Sequence, residues 1–191
     1  MSELNLMKIN PKGNDLEETG LLIVKDIENE VIMKSLTSIE KSNDHEKNLF
    51  LFSQKLLTYI AREKEISQGV FFIAEKNDDK QVLRYLSGYA HQLPEPANEI
   101  IEFGEGFPGQ VAKDGNLVII NDIPDGYMSI ESGLGKGSPV SLILFPVNHN
   151  GAVLAVIELA SFHKFMPEDE QFFEQLAPSI AEQILLHINK S

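Results

Sequence analysis

The chain has 191 residues, a formal net charge of −13 and no cysteine. So acidic a protein is a poor partner for nucleic acid or an anionic membrane, where Lys and Arg must neutralise phosphates. Without cysteine there are no disulfides, thiol nucleophiles, thiolate-held metals or thioether-linked chromophores such as a covalent bilin. The length suits one domain with an arm, or two very small ones, and the opening MSELNLMKINPKGND lacks the apolar core of a signal peptide. No apolar run approaches the ~20 residues of a membrane span, so the expected location is cytoplasmic.

Residues 1–18 are polar and read as a tail, with a turn at Asn10-Pro11-Lys12-Gly13-Asn14. In 21–41, Val24, Ile27, Val31, Ile32, Leu36 and Ile39 recur at spacings of three and four, which predicts an amphipathic helix; the run Leu21–Val24 also suits a short strand. Asn43 with Glu46 three residues on marks a second helix start. Its apolar face is Leu49, Phe52, Leu56, Leu57 and Ile60, and it ends near Glu63.

The period then changes. Residues 69–77 and 81–90 read as a hairpin around Asn77-Asp78-Asp79-Lys80. Residues 91–99 form a loop and 100–103 a short strand. A short helix follows over Phe107–Lys113, stopped by Asp114-Gly115, and then a strand over 117–122. Residues 123–138 are a polar, glycine-rich excursion. A second hairpin joins 141–147 to 152–161, and a helix closes the chain over Pro167–Asn189. Its predicted apolar stripe is Phe172, Leu176, Ile180, Ile184 and Ile188; Glu168, Asp169 and Glu170 suit its N-terminal dipole, and Pro178 lies within it. Strands joined mainly by tight turns form an antiparallel sheet, and two long helices with one apolar face each pack on one side of it. The expectation is an α+β domain over 44–190, with 1–43 as a tail and helix.

GEGFPGQV at 104–111 fits the G-x-G-x-x-G-x-V pattern of phosphate loops. The surroundings argue against that use. A dinucleotide loop opens a crossover helix of ten residues or more, whereas the next predicted strand follows Gly109 within about seven residues. Pro108 has no N–H to donate, and Glu105 would set a carboxylate beside a pyrophosphate. The kinase reading lacks a lysine in LVIIND, a His-Arg-Asp loop and an Asp-Phe-Gly. The simpler account is a sharp strand-to-helix turn.

GEGFPGQVAKDGNLVIINDIP, followed by SPVSLILFPVNHNGAVLAVIELASFHKFMPEDEQFFEQLAPSIAEQI, resembles a GAF domain over about 44–190. YMSIESGLG and VIELASF are most similar to GAF domains of bacterial multidomain signalling proteins, which accompany histidine-kinase or serine-phosphatase effectors. The resemblance implies a central antiparallel sheet of five or six strands, with the terminal helices on one face. On the other face, short helices and loops form a small-molecule pocket. Of the cyclic-nucleotide signature only Phe165 through Glu170 fits; Ser161 and Phe162 stand where Asn-Lys belongs, which counts against that ligand. The related free methionine sulfoxide reductases use cysteines, absent here.

Glu158 lies inside the otherwise apolar AVLAVIELA. An ionised carboxylate there needs hydrogen-bond donors. Either it faces the pocket and accepts from a ligand, or it accepts from backbone N–H groups of the 123–138 excursion and holds a lid shut. In the family the excursion overlies the pocket, which makes Asp122, Tyr127, Ser129 and Ser132 candidate ligand contacts. Ser141 is a candidate from the base of the next strand. Phe107 serves as an apolar wall or as core filling. Arg84 either points inward or lies at a solvated edge. His45, His91, His149, His163 and His187 are scattered without metal-ligand spacing, and no nucleophile elbow accompanies a histidine.

These readings lead to a non-catalytic sensory module, not an enzyme, that binds a small molecule or partner and signals through its terminal helices. A homodimer through a helical bundle including 21–41 is expected, with a kinase or phosphatase effector acted on in trans. The alternative is a constitutive dimerisation scaffold without a ligand.

Overall fold

The computed structural model describes residues 44–91, 100–132 and 135–188. The predicted tail and helix within 1–43 and most of the 91–99 loop lie outside the described residues. Helix α1 spans His45–Glu63, and Asp44 rather than Asn43 caps it, its side chain accepting from the Lys47 N–H at 3.1 Å. Strands β1 (Gln68–Asn77) and β2 (Lys80–Tyr89) form a hairpin, followed by β3 (Ile100–Glu102), α2 (Gly106–Asp114) and β4 (Val118–Ile120). The excursion contains two short strands, β5 (Ile130–Ser132) and β6 (Gly135–Gly137), that the sequence reading had as irregular. Then come β7 (Ser141–His149), β8 (Ala152–Ser161) and α3 (Pro167–Ile188).

Six strands form one sheet in the order β3-β2-β1-β8-β7-β4, every neighbouring pair antiparallel. The α+β expectation is met, and no parallel crossover follows the glycine turn. Successive side chains of a strand point to opposite faces, and both faces of this sheet are covered. On one face Phe71, Ile73, Ile143, Phe145, Ile157 and Leu159 pack with Phe52, Leu56 and Ile60 of α1 and Phe173, Leu176 and Ile180 of α3. On the other, Val70, Phe72, Leu83, Leu142, Leu144, Val156 and Ala160 pack with Val111 and Ala112 of α2. This double burial is why β7 and β8 read as nearly continuous apolar runs instead of alternating ones.

The stripe of α1 matches the predicted face; all five residues are buried. That of α3 matches at Leu176, Ile180 and Ile184 but not at its two ends. Phe173, not Phe172, is fully buried, stacked on Phe145 with ring centroids 4.9 Å apart, and Ile188 is exposed. A strict i+4 series advances about 40° per step around a helix of 3.6 residues per turn. Five such residues therefore drift off any one face, while Phe173, Leu176, Ile180 and Ile184 stay on it. The two helices run antiparallel: Lys64 pairs with Asp169 at 3.0 Å at one end, and Phe52 meets the His187 ring at the other. A register shift between Phe71 and Phe72 turns Ser87 toward α1, where its hydroxyl meets that of Ser53 at 2.6 Å.

Candidate functional site

The glycine turn lies beside the second, lidded face, on which Ile123, Met128 and Ile130 of the excursion pack. The Gly104 N–H donates to the Gly109 carbonyl at 2.7 Å, and Glu105 accepts from the Glu102 N–H at 3.0 Å. A Cβ on Gly109 would stand 2.3 Å from the Glu102 carbonyl oxygen, so only glycine lets β3 turn this closely into α2. The turn's hydrogen bonds are thus internal, and it places Phe107 in the first turn of α2, against the lidded core.

Glu158 sits in β8 between Ile157 and Leu159, both of which face the helices. Its own face is the lidded one, its register partners are Val70 and Leu144, and only 8% of its surface is exposed. The Tyr127 hydroxyl donates to Glu158 Oε1 at 2.9 Å, and the Tyr127 ring lies 4.8 Å from that of Phe107. The carboxylate on the floor, the hydroxyl from the arch and the ring at the helix start are therefore one connected group. Glu158 is bonded to the excursion, and the side-chain hydroxyl of Tyr127 is one donor of that contact.

The other candidates separate. Asp122 is exposed and Ser129 half-buried on the arch, and the Ser132 side chain lies outside the described residues. Ser141 does not reach the lidded face. It lies in phase with Ile143, under the helices, where its hydroxyl donates to the His163 carbonyl at 3.2 Å and accepts from the Phe165 N–H. It fixes the turn into α3. Arg84 also faces away from Glu158. Its hydrogen bonds to Glu75, at 2.7 and 2.9 Å, are the main reason the guanidinium is held above its ordinary pKa; burial opposes this, and the charges of Glu75 and Glu46 add to it.

Sequence reasoning missed three residues on the lidded face. Gln68 begins β1 in phase with Val70 and Phe72, and its side-chain Nε2 lies 2.5 Å from His91 Nδ1. The His91 ring lies 5.9 Å from that of Tyr85, which stands edge-on to Phe72. The available signal was the one that singled out Glu158: a polar residue in phase with an apolar strand face. A separate groove of about 300 Å³ lies on the helical side, between α3 and β7, and holds none of the predicted site residues. Among the described residues no three His, Asp or Glu side chains form a metal-binding group, and no helix is long and apolar enough to cross a membrane.

A family model of the GAF domain matches residues 52–184. The chain belongs to the GAF family. A search of curated protein sequences found no match. Among solved structures it is similar to the GAF domain of a Coxiella burnetii phosphoenolpyruvate-protein phosphotransferase, at 19% identity over 86% of this chain and 97% of that one, TM-score 0.61. It is similar to the nlh2 GAF domain of A. Aeolicus in an inactive state, at 20% identity over 86% and 98% of the two chains, TM-score 0.59. It is also similar to the type II free methionine-R-sulfoxide reductase of Thermoplasma acidophilum, at 19% identity over 75% and 97%, TM-score 0.60.

That last likeness corrects one expectation. The sequence reading made this GAF domain a non-enzyme, yet free methionine-R-sulfoxide reductases, which are enzymes, share its fold. At such identities the likeness shows the fold alone. The GAF fold thus carries enzymes as well as regulatory modules and does not set this chain apart from either.

Proposed function

We propose that this GAF domain is a regulatory module that takes a small molecule between the sheet and the 121–137 arch and passes the change to its helical face. The observation that carries this reading is the Tyr127–Glu158 hydrogen bond. It joins a nearly buried carboxylate in a central strand to a half-exposed residue of the arch, so a guest with its own donor competes directly with Tyr127. Displacement of Tyr127 frees the arch, giving two states whose populations the guest shifts. Ile157 and Leu159 flank Glu158 in β8 and reach into the core beneath α1 and α3, so a shift of the strand is felt by both helices. The readout would follow from a homodimer through those helices with the 21–41 segment, and from an effector kinase or phosphatase acting in trans, as in two-component signalling.

The test is a thermal-shift panel that includes cAMP, cGMP and small amines. A ligand at 100 times its dissociation constant raises stability by about 2.7 kcal/mol, and Glu158→Gln should abolish the gain. A flat response across the panel, with no small molecule co-purifying, counts against the reading. The second reading is a constitutive scaffold. It is favoured by the same bond, which already supplies Glu158 with a donor, and by the apolar packing of the lidded face. Equal helix-face mobility with and without added compounds supports it.

A further inference from the structure

We infer that the guest is a small organic cation carrying two or more N–H donors on a flat apolar body, of amidinium or guanidinium type, and that Gln68 reads it alongside Glu158. The inference rests on the proposed guest site and names what that site selects.

Gln68 is 7% exposed, and its Oε1 is buried with no hydrogen-bond partner among the described residues. Buried polar groups nearly always have partners, and an unmet acceptor costs stability. Its Nε2 lies 2.5 Å from His91 Nδ1; in the tautomer with Nδ1 as acceptor the amide donates there, and its oxygen is turned away from the imidazole. Gly88 makes this possible: a Cβ there would fall 2.7 Å from the Tyr85 hydroxyl and 3.0 Å from His91 Cβ. Without that side chain, the segment after β2 folds back over the sheet and delivers His91 to Gln68.

The register sets Gln68 beside Glu158. Val70 pairs with Glu158 and Gln68 with Ala160, so the two polar side chains are diagonal neighbours on the lidded face, about 7–8 Å apart along the backbone, within joint reach of one ligand. The floor therefore offers two acceptors, one of them a carboxyl group. Aromatic rings lie on the same face: Tyr85 stands beside His91 and edge-on to Phe72 of β1, and Tyr127, which reaches Glu158, lies against Phe107. Arg84, the arginine of β2, is turned to the other face and held by Glu75. Two acceptors on a face that carries aromatic rings match a planar group with N–H donors on one edge. The net charge of −13 draws cations and repels anions.

The test titrates the full-length chain, labelled with ¹⁵N, with benzamidine, benzoate and N,N-dimethylbenzamide, three compounds that share a ring and differ in donors and charge. Saturable shifts at Gln68, Glu158 and Tyr127, including the Gln68 side-chain NH₂ signals, are expected with benzamidine alone. Gln68→Met, equal in length and apolar, should weaken benzamidine about tenfold, and Glu158→Gln should weaken it further. The Gln68 side-chain signals of the parent chain decide the matter directly should the variant fold poorly. Benzamidine binding that depends on Glu158 but leaves the Gln68 side chain unmoved overturns the role of Gln68 and leaves the guest site standing. Benzoate or dimethylbenzamide binding on the same face in preference to benzamidine overturns the ligand class alone. No binding of any of the three to the lidded face overturns both the class and the site.

Discussion

Tyr127→Phe removes one oxygen and keeps the ring against Phe107, so it isolates the bond between arch and floor. A hydrogen bond to a charged group contributes about 1.5–3 kcal/mol when buried. Tyr127 is 37% exposed, and water entering from that side replaces part of the lost donor, which leaves about 1 kcal/mol. One kcal/mol changes an equilibrium about fivefold. The loss falls on opening of the arch and spares the six-stranded sheet, because β5 and β6 pair only with each other. Amides of 130–132 and 135–137 should therefore exchange with deuterium about fivefold faster in Tyr127→Phe, while the urea midpoint and its slope stay close to those of the parent. Tyr127→Ala also loses the ring contact, worth about 0.5–1.5 kcal/mol more, and should exchange faster still. Unchanged exchange in 130–132 and 135–137 for Tyr127→Phe would refute the claim that Glu158 holds the arch down. An equal acceleration across α1, β8 and α3 would refute the claim that the arch opens by itself.

Other expectations follow from the packing. Phe173→Ala should cost about 3–5 kcal/mol in urea unfolding, and Phe172→Ala clearly less, because Phe172 is only partly buried beneath Lys64. Gly109→Ala must push the Glu102 carbonyl away and should lower stability by about 1–3 kcal/mol, whereas alanine at Gly126, where a Cβ meets nothing within 4 Å, meets only the strain of its φ of 77°. Ser53 donates to the Phe50 carbonyl at 2.8 Å, so Ser87 is the donor in their mutual bond. Ser53→Ala strands that buried hydroxyl and should cost about 1–3 kcal/mol, while Ser53→Ala with Ser87→Ala should cost less than the sum of the two single changes. Breaking the half-buried Lys64–Asp169 pair with Lys64→Met should cost about 1 kcal/mol or less, read as a small shift in the urea midpoint.

The order of elements along the chain, the two hairpins and the helix placement were legible because the sequence carries them redundantly. Each hairpin is marked by turn residues, as at Asp78 with its φ of 52° and Asn150-Gly151, and antiparallel pairing follows from connections too short to cross over. The face of α1 was legible since its apolar residues keep a true 3.6 period, and that of α3 was misread at Phe172 by following an i+4 series too far. The β5–β6 hairpin was hidden, because a two-stranded ribbon of Ser, Lys and Gly has almost no apolar alternation to detect. At the site, Glu158 stood out because a carboxylate in an apolar strand is a local contrast, whereas Tyr127 came in through the resemblance, which places the excursion over the pocket, and Phe107 through the glycine stretch. Gln68 and His91 come together only through the fold of the chain around Gly88, which no spacing in the sequence shows. Ser141 was misassigned through parity: one residue along β7 exchanges the lidded face for the helical one.

The claim on which the account turns is that the lidded face holds a guest against Glu158. Native mass spectrometry of the purified chain, beside Glu158→Gln prepared identically, addresses it most directly. The account predicts a non-covalent adduct of small-molecule mass on the parent chain that is lost or strongly reduced in Glu158→Gln. An adduct retained in full by the variant, or the bare chain mass for both under conditions that preserve non-covalent complexes, would contradict it.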